Sequence, residues 1–181
     1  MPIARRRLAA LALLPLACPA AAQAATKREI DDAVGPALAR LREQDGTRIL
    51  ADNAKAILVF PRILRGGFVF GGQYGNGAMV EGSETTGYYN IAGASFGLQI
   101  GAQSYGLAMF IMTAEALDFF RKSQGWEIGT GPSVVALDAG LAGSLTSTTM
   151  SQDIYAVTFG QTGLMAALTL DGQKISKITP E

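Results

Sequence analysis

Histidine is missing altogether from these 181 residues, and cysteine occurs once, at Cys18. The first absence removes the side chain that most often serves as a general base near neutral pH, which is also the commonest metal ligand. The second excludes an intrachain disulfide and leaves no activated thiol beyond the first residues. Neither sign of charge is in excess, with 15 Lys+Arg against 15 Asp+Glu, so the chain lacks the basic footprint of a nucleic-acid binder. Nor is there an apolar run of the roughly 20 residues that a helix needs to cross a bilayer. These absences weigh against an enzyme, and neither a metal nor a cofactor is expected.

What is present begins with a leader. Arg5, Arg6 and Arg7 precede an apolar stretch over 8–16, and small residues follow over 20–25, the pattern of a secretory signal peptide. Ala22-Gln23-Ala24 fits small-x-small cleavage and makes 1–24 the leader. Cys18, preceded by Pro15-Leu16-Ala17, keeps a second reading open in which the chain is a lipoprotein acylated at that cysteine, and the arginines partly match a twin-arginine signal. Cleavage after Ala24 takes three arginines away and leaves 12 basic against 15 acidic residues. The remainder, 25–181, suits one domain with a single core.

The charge is unevenly placed. Between residues 40 and 65, Arg40, Arg42, Arg48, Lys55, Arg62 and Arg65 outnumber Glu43, Asp45 and Asp52, whereas acidic residues prevail over 81–138. A chain with one basic end can orient against an anionic surface, each cation there being worth about 1 kcal/mol.

Residues 26–44 read as a helix, with Ile30, Val34, Ala37, Leu38 and Leu41 at three- and four-residue steps, Pro36 an irregularity and Asp45-Gly46 the stop. A second helix is expected over 48–56, where Ile49, Leu50 and Ala54 oppose Arg48, Asp52 and Lys55. From residue 57 the period changes to short, glycine-rich strands. An apolar run over 57–60 stops at Pro61, a strand follows over 67–74, Gly75-Asn76-Gly77 looks like a hairpin turn, and the chain returns over 78–82. Phe96, Leu98, Ile100 and Ala102 alternate, and 105–113 reads as a central strand. A short helix then runs from Thr113 to Lys122 with Leu117, Phe119 and Phe120 inward. Later strands are expected at 134–137, 154–159, 164–170 and, after a turn at Asp171-Gly172, 174–178. The expected fold is α+β: N-terminal helices over 26–56 packed on an antiparallel β-sandwich or partly closed β-barrel over 57–178, with one inserted short helix.

Few residues invite chemistry. Glu115 and Asp118 share a helical face, but carboxylates in the first turns of a helix suit a solvated face. The glycines over 71–77 do not form G-x-G-x-x-G, and glycine in strands marks a bulge or a close backbone approach. More informative is Phe60-Pro61-Arg62-Ile63-Leu64-Arg65-Gly66-Gly67, where two aliphatic residues stand between two arginines in an expected loop. Projecting outward, Ile63 and Leu64 would enter an acyl boundary while Arg62 and Arg65 pair with lipid phosphates. The plainer alternative is that the aliphatic pair covers the end of the sheet.

Four blocks in order carry a family resemblance: Ala54-Lys55-Ala56-Ile57-Leu58-Val59-Phe60-Pro61, Gly66-Gly67-Phe68 through Gly77, Ser95-Phe96-Gly97-Leu98-Gln99-Ile100-Gly101-Ala102-Gln103, and Gly163-Leu164-Met165-Ala166-Ala167-Leu168. On these the chain resembles the SYLF domain from about residue 54 to 178. The resemblance implies a lipid-binding module whose eukaryotic members bind phosphoinositides and engage actin, and whose bacterial members are typically exported. It links membrane contact to the N-terminal helix and to basic positions near the first block, here Arg48, Lys55, Arg62 and Arg65. The chain departs from the family at Glu81, at Tyr88-Tyr89-Asn90-Ile91 and at Gly140-Leu141.

The expectation is a periplasmic, membrane-associated domain that binds anionic phospholipid without catalysis, partnered neither by nucleic acid nor by actin. Two rivals stand beside it: a small outer-membrane β-barrel, which suits an exported, glycine- and strand-rich chain, and a lipid-acting enzyme.

Overall fold

The computed structural model describes residues 25–67, 70–96, 101–137, 150–162 and 172–181. In chain order the elements are α1 (Lys27–Glu43), α2 (Asp45–Asn53), β1 (Ala56–Gly67), β2 (Phe70–Glu81), β3 (Glu84–Phe96), β4 (Gly101–Ile111), α3 (Ala114–Lys122), β5 (Gly125–Glu127), β6 (Val134–Leu137), β7 (Ile154–Thr162) and β8 (Lys174–Ile178). The class is α+β, as expected. The expected leader with Cys18, the strand expected over 164–170 and the Gly140-Leu141 departure lie outside the described residues.

Helix α1 starts at a capping box. The Thr26 hydroxyl accepts from the Glu29 amide at 3.3 Å, and the Thr26 amide donates to the Glu29 carboxylate at 2.8 Å. Its buried stripe is Ile30, Val34, Ala37, Leu38 and Leu41, the residues picked out by spacing, while Pro36 lies on the exposed side. Helix α2 begins three residues earlier than expected. Asp45-Gly46, read as a stop, forms its first turn, because Gly46 and Thr47 are buried there and the Thr47 hydroxyl donates back to the carbonyls of Leu41 and Gln44. A helix of 9 residues is too short to persist alone, and packing holds it: burying Leu50 fully is worth about 1.5–3 kcal/mol.

The strands form one eight-stranded sheet in the order β5-β8-β3-β2-β1-β4-β7-β6, antiparallel except for the β6–β7 pair. It is a single curled sheet, the partly closed of the two expected arrangements. One face carries Ile57, Val59, Ala78, Val80, Ala108, Phe110, Tyr155 and Val157 and is covered by α1 and α2. The opposite, inner face carries Leu58, Phe60, Ile63, Met79, Ile91, Leu107, Met109 and Ile175, with Leu117 and Phe120 of α3 and Trp126 of β5 closing it. Helices thus pack on both faces of the sheet, α1 and α2 on one and α3 on the other.

Two expectations fail at one place. Strand β1 does not stop at Pro61 but runs to Gly67, paired with β2 on one side and β4 on the other. Proline is tolerated in this central strand because β1 carries one extra residue there. Its register slips between Val59 and Arg62 against β2, and between Phe60 and Ile63 against β4. Nor do Gly75-Asn76-Gly77 turn the chain; they lie within β2, opposite the bulge. A Cβ on Gly77 would collide with the Val59 carbonyl and stand 2.7 Å from Phe60 Cδ1, and one on Gly75 would stand 2.8 Å from the Arg62 carbonyl. Glycine is needed here for close approach. The hairpin turn is Gly82-Ser83, where Gly82 has φ 61° and Glu81 pairs with Glu84.

Candidate functional site

The bulge decides where the Arg62–Arg65 segment points. These residues belong to a strand, so the expected loop does not exist, and successive side chains fall on opposite faces. Ile63 is fully buried in the inner core, whereas Leu64 is 53% exposed on the outer face. The expectation that both aliphatic residues project outward is therefore corrected for Ile63, which serves the packing role of the plainer alternative. Arg62 is exposed, and Arg65 is half-buried beside the inner core.

On the outer face Leu64 lies opposite Tyr74 of β2, itself 51% exposed, and no other large hydrophobic among the described residues is so open. Directly opposed residues have Cβ atoms about 4.5–5.5 Å apart, so the two side chains make one patch. One pair along, Arg62 faces Asn76, whose side-chain oxygen accepts from the Tyr74 hydroxyl at 2.9 Å. Around them the face is completed by Asn90 and Ala92 of β3 and Ser104 of β4, with no carboxylate on these strands beside the patch. Farther out, Lys174 of β8 stands opposite Glu127 of β5, so those two charges offset each other. The patch lies beyond the reach of α1 and α2, which cover Ile57, Val59, Ala78 and Val80 at the other end of the same face.

Arg48 and Lys55 do not join this patch. Arg48 sits on α2 and pairs with Asp45 at 2.9 Å, and Lys55 precedes β1, its amide donating to the Ile111 carbonyl. At about 3.3 Å per residue, Lys55 stands roughly 20 Å along the strand from Arg62. The structure thus divides the six sequence-derived positions into an outer pair, Arg62 and Leu64, an inner pair, Ile63 and Arg65, and a distant pair, Arg48 and Lys55.

The inner face has its own polar end. Arg65 stands between Gln73 of β2 and Gln103 of β4 in cross-strand register. Gln73 is buried and accepts from the Tyr105 hydroxyl at 3.0 Å. Burial pushes the Tyr105 phenol up to about 12, against the opposing pull of the Arg65 charge. Sequence reasoning missed Tyr74, Gln73 and Tyr105, the first two because they stood in a glycine-rich run read as the approach to a turn.

The other carboxylates are occupied with structure. Asp118 lies 3.8 Å from Arg121 and 3.9 Å from Lys122 on α3, and Glu115 is exposed beside it, the solvated face expected. Glu81, one of the departures from the family pattern, pairs with Arg121 at 2.6 Å and fastens α3 to β2. Tyr88, another, donates to Asp31 of α1 at 2.8 Å and lies under the Lys27 ammonium, tying the first helix to β3. Among the described residues no cluster of three metal-ligating side chains occurs.

No curated protein matches the chain significantly. The sequence profile of the family described as Ysc84, Las17-binding protein actin regulator, matches residues 92–180. That span contains the two later blocks of the resemblance, at 95–103 and 163–168, and runs from the middle of β3 past β8. Over residues 92–180 the profile agrees with the SYLF resemblance that the ordered blocks carry.

Proposed function

We propose that this chain is an exported, non-catalytic SYLF-like domain that binds anionic phospholipid at the periplasmic face of a membrane. The observation that carries the reading is the outer patch: Leu64 and Tyr74 stand open side by side with Arg62 next to them. An exposed apolar pair flanked by a guanidinium suits the boundary between acyl chains and phosphates, where the ring and the aliphatic chain enter and the cation stays at the headgroups. The leader supports export, and the missing histidine supports a role without catalysis. The family description names an actin regulator; an exported chain meets no cytoplasmic filament, so lipid is the ligand retained from the family and actin is not.

The test is co-sedimentation of the purified protein with phosphatidylglycerol vesicles and with phosphatidylcholine vesicles. Binding to the first that fades as salt is raised, with little to the second, is the expected result, because the Debye length shrinks from about 10 Å at 0.1 M to about 3 Å at 1 M. Equal recovery in the supernatant with both, at low ionic strength, would remove the proposal.

A further inference from the structure

The inner face of the sheet contains a polar end that membrane contact through the outer patch leaves unexplained. Leu58, Phe60, Ile63, Leu107 and Met109 make that face apolar along most of its length, and then its character changes. Gln73, Arg65 and Gln103 form a row across β2, β1 and β4, and Gln173 approaches from beyond β3. Gln73 and Gln173 are two of the few buried polar side chains among the described residues. The one cation in the row, Arg65, has its Nε shielded from solvent without a hydrogen-bond partner, and no described carboxylate lies within ion-pair distance of it. A sequestered guanidinium donor without an acceptor is costly unless a ligand supplies one.

Of the neutral groups near it, Gln73 presents a donor, while the buried Gln173 Oε1 is an acceptor without a hydrogen-bond partner. The Tyr105 hydroxyl donates to Gln73 Oε1, which fixes the carboxamide so that its NH2 end is the one left to face other partners. That NH2 end reaches over Gly93, where a Cβ would stand 3.3 Å from Gln73 Nε2 and 3.3 Å from Gln173 Cγ, so the glycine leaves room for both side chains. A guanidinium and a carboxamide donor in register on neighbouring strands suit a tetrahedral oxyanion, whose oxygens accept in several directions at once. Arg65 lies two residues from the end of β1 and is only half-buried, so part of its side chain is open to solvent.

We infer that Arg65, with Gln73 held by Tyr105, forms a phosphate-binding site on the inner face of the sheet, separate from the outer patch at Arg62 and Leu64. A lipid headgroup and free phosphate share this chemistry. The test follows the Arg65 Nε–H resonance of the ¹⁵N-arginine-labelled protein during titration with inorganic phosphate and with dihexanoyl phosphatidate below its micelle threshold, chloride of equal ionic strength serving as the control. A saturable shift with either phosphate probe and none with chloride is expected. Tighter binding of phosphatidate identifies a headgroup site, and equal binding identifies a site for the free anion.

Gln73→Glu gives Arg65 an internal carboxylate, and it should weaken the phosphate response on the order of tenfold or more. Its sedimentation with anionic vesicles should fall as well where phosphatidate binds the tighter of the two probes, and should stay unchanged where the two bind equally. An Arg65 resonance silent to both phosphate probes overturns the inference, as does a Gln73→Glu protein that binds phosphate like the wild type. Neither result bears on the outer patch, whose own failure would appear as loss of vesicle binding by the wild-type protein.

Discussion

Reversing the charge at Arg62 is the sharpest perturbation of the outer patch, and its size can be worked from the exposures. Leu64 and Tyr74 are 53% and 51% exposed, so about half of each side chain's apolar surface remains to be buried. Full burial of a large apolar side chain is worth about 1.5–3 kcal/mol, which leaves about 1 kcal/mol for each. A cation near an anionic surface adds about 1 kcal/mol. The patch therefore supplies about 3 kcal/mol, a dissociation constant in the millimolar range. Arg62→Glu removes the attraction and puts repulsion of similar size in its place, a change of about 2 kcal/mol or roughly 30-fold. Leu64→Ser with Tyr74→Ser removes a similar total but leaves the charge alone. Both variants should bind phosphatidylglycerol vesicles far more weakly at low salt, and only Arg62→Glu should reverse the salt dependence, since salt screens its repulsion. Should Arg62→Glu sediment like the wild type across the salt series, the outer face is not where the membrane sits.

Other residues give checks of the fold. Gly77→Ala places a methyl against the Val59 carbonyl and Phe60 in a fully packed sheet and should cost more than about 2 kcal/mol in denaturant unfolding. Gly35→Ala, on α1 with nothing within 4 Å of the new Cβ, should stabilise by about 0.5–1 kcal/mol in the same assay. Asp153 accepts from the Ser133 amide and hydroxyl and from the Thr113 hydroxyl, and the Ser133 bonds chiefly hold its carboxyl below the ordinary range. Its contribution is present above the unfolded value of about 3.9 and is lost as pH falls through the depressed folded value, so Asp153→Asn should flatten the acid limb of the stability profile. Tyr88 behaves in the opposite sense: burial, reinforced by its bonds to Asp31, pushes the phenol up to about 12. The stabilisation from Tyr88 is therefore complete below pH 10 and fades as pH rises through about 12, a loss that Tyr88→Phe should not show.

Much of the fold could be read from periodicity, and the misreadings share one cause. The α1 stripe came out residue for residue because a helix face repeats regularly over a long segment. Helix α3, with Leu117 and Phe120 inward, and strands β6 and β8 were legible for the same reason. The failures cluster at Pro61 and at Gly75 and Gly77, where local residue chemistry is ambiguous. Proline can end a strand or occupy a bulge, and glycine can supply a positive φ or merely the lack of a Cβ. Only the pairing of β1 with β2 and β4 resolves the choice, and that pairing joins segments distant in sequence. Strand β3 escaped notice as a whole: Gly87, Asn90 and Gly93 dilute the apolar signal of Tyr89 and Ile91, which are buried only through neighbouring strands and α3.

The candidate site was half legible for a related reason. Composition alone could mark Arg62-Ile63-Leu64-Arg65 as unusual, but a loop lets four neighbours share one surface and a strand forbids it. Alternation sends Arg62 and Leu64 outward and Ile63 and Arg65 inward, so one tetrapeptide serves two faces. The partners that give each pair meaning, Tyr74 outside and Gln73 with Tyr105 inside, come from other strands and could be found only in the register.

The modest strength of the outer patch bears on how the protein is held in its compartment. On the proposed function, about 3 kcal/mol would leave an unanchored chain in rapid exchange with the membrane, whereas an acyl anchor contributes about 0.8 kcal/mol for every buried CH2 and far exceeds it. The two cleavage readings of the leader thus differ in a measurable way. Cleavage after Ala24 predicts a protein released from membranes by high salt, since its cation is screened, and a Cys18→Ser chain distributed like the wild type. Acylation at Cys18 predicts a salt-resistant pellet that only detergent dissolves and that Cys18→Ser abolishes. Ala22-Gln23-Ala24 satisfies the small-residue rule, while Pro15 stands where a lipoprotein signal usually carries an aliphatic residue, so salt release and an indifferent Cys18→Ser variant are the expected results. A salt-resistant pellet lost on that substitution would move the main attachment from the sheet face to the N-terminus and leave the Arg62 patch to orient the domain.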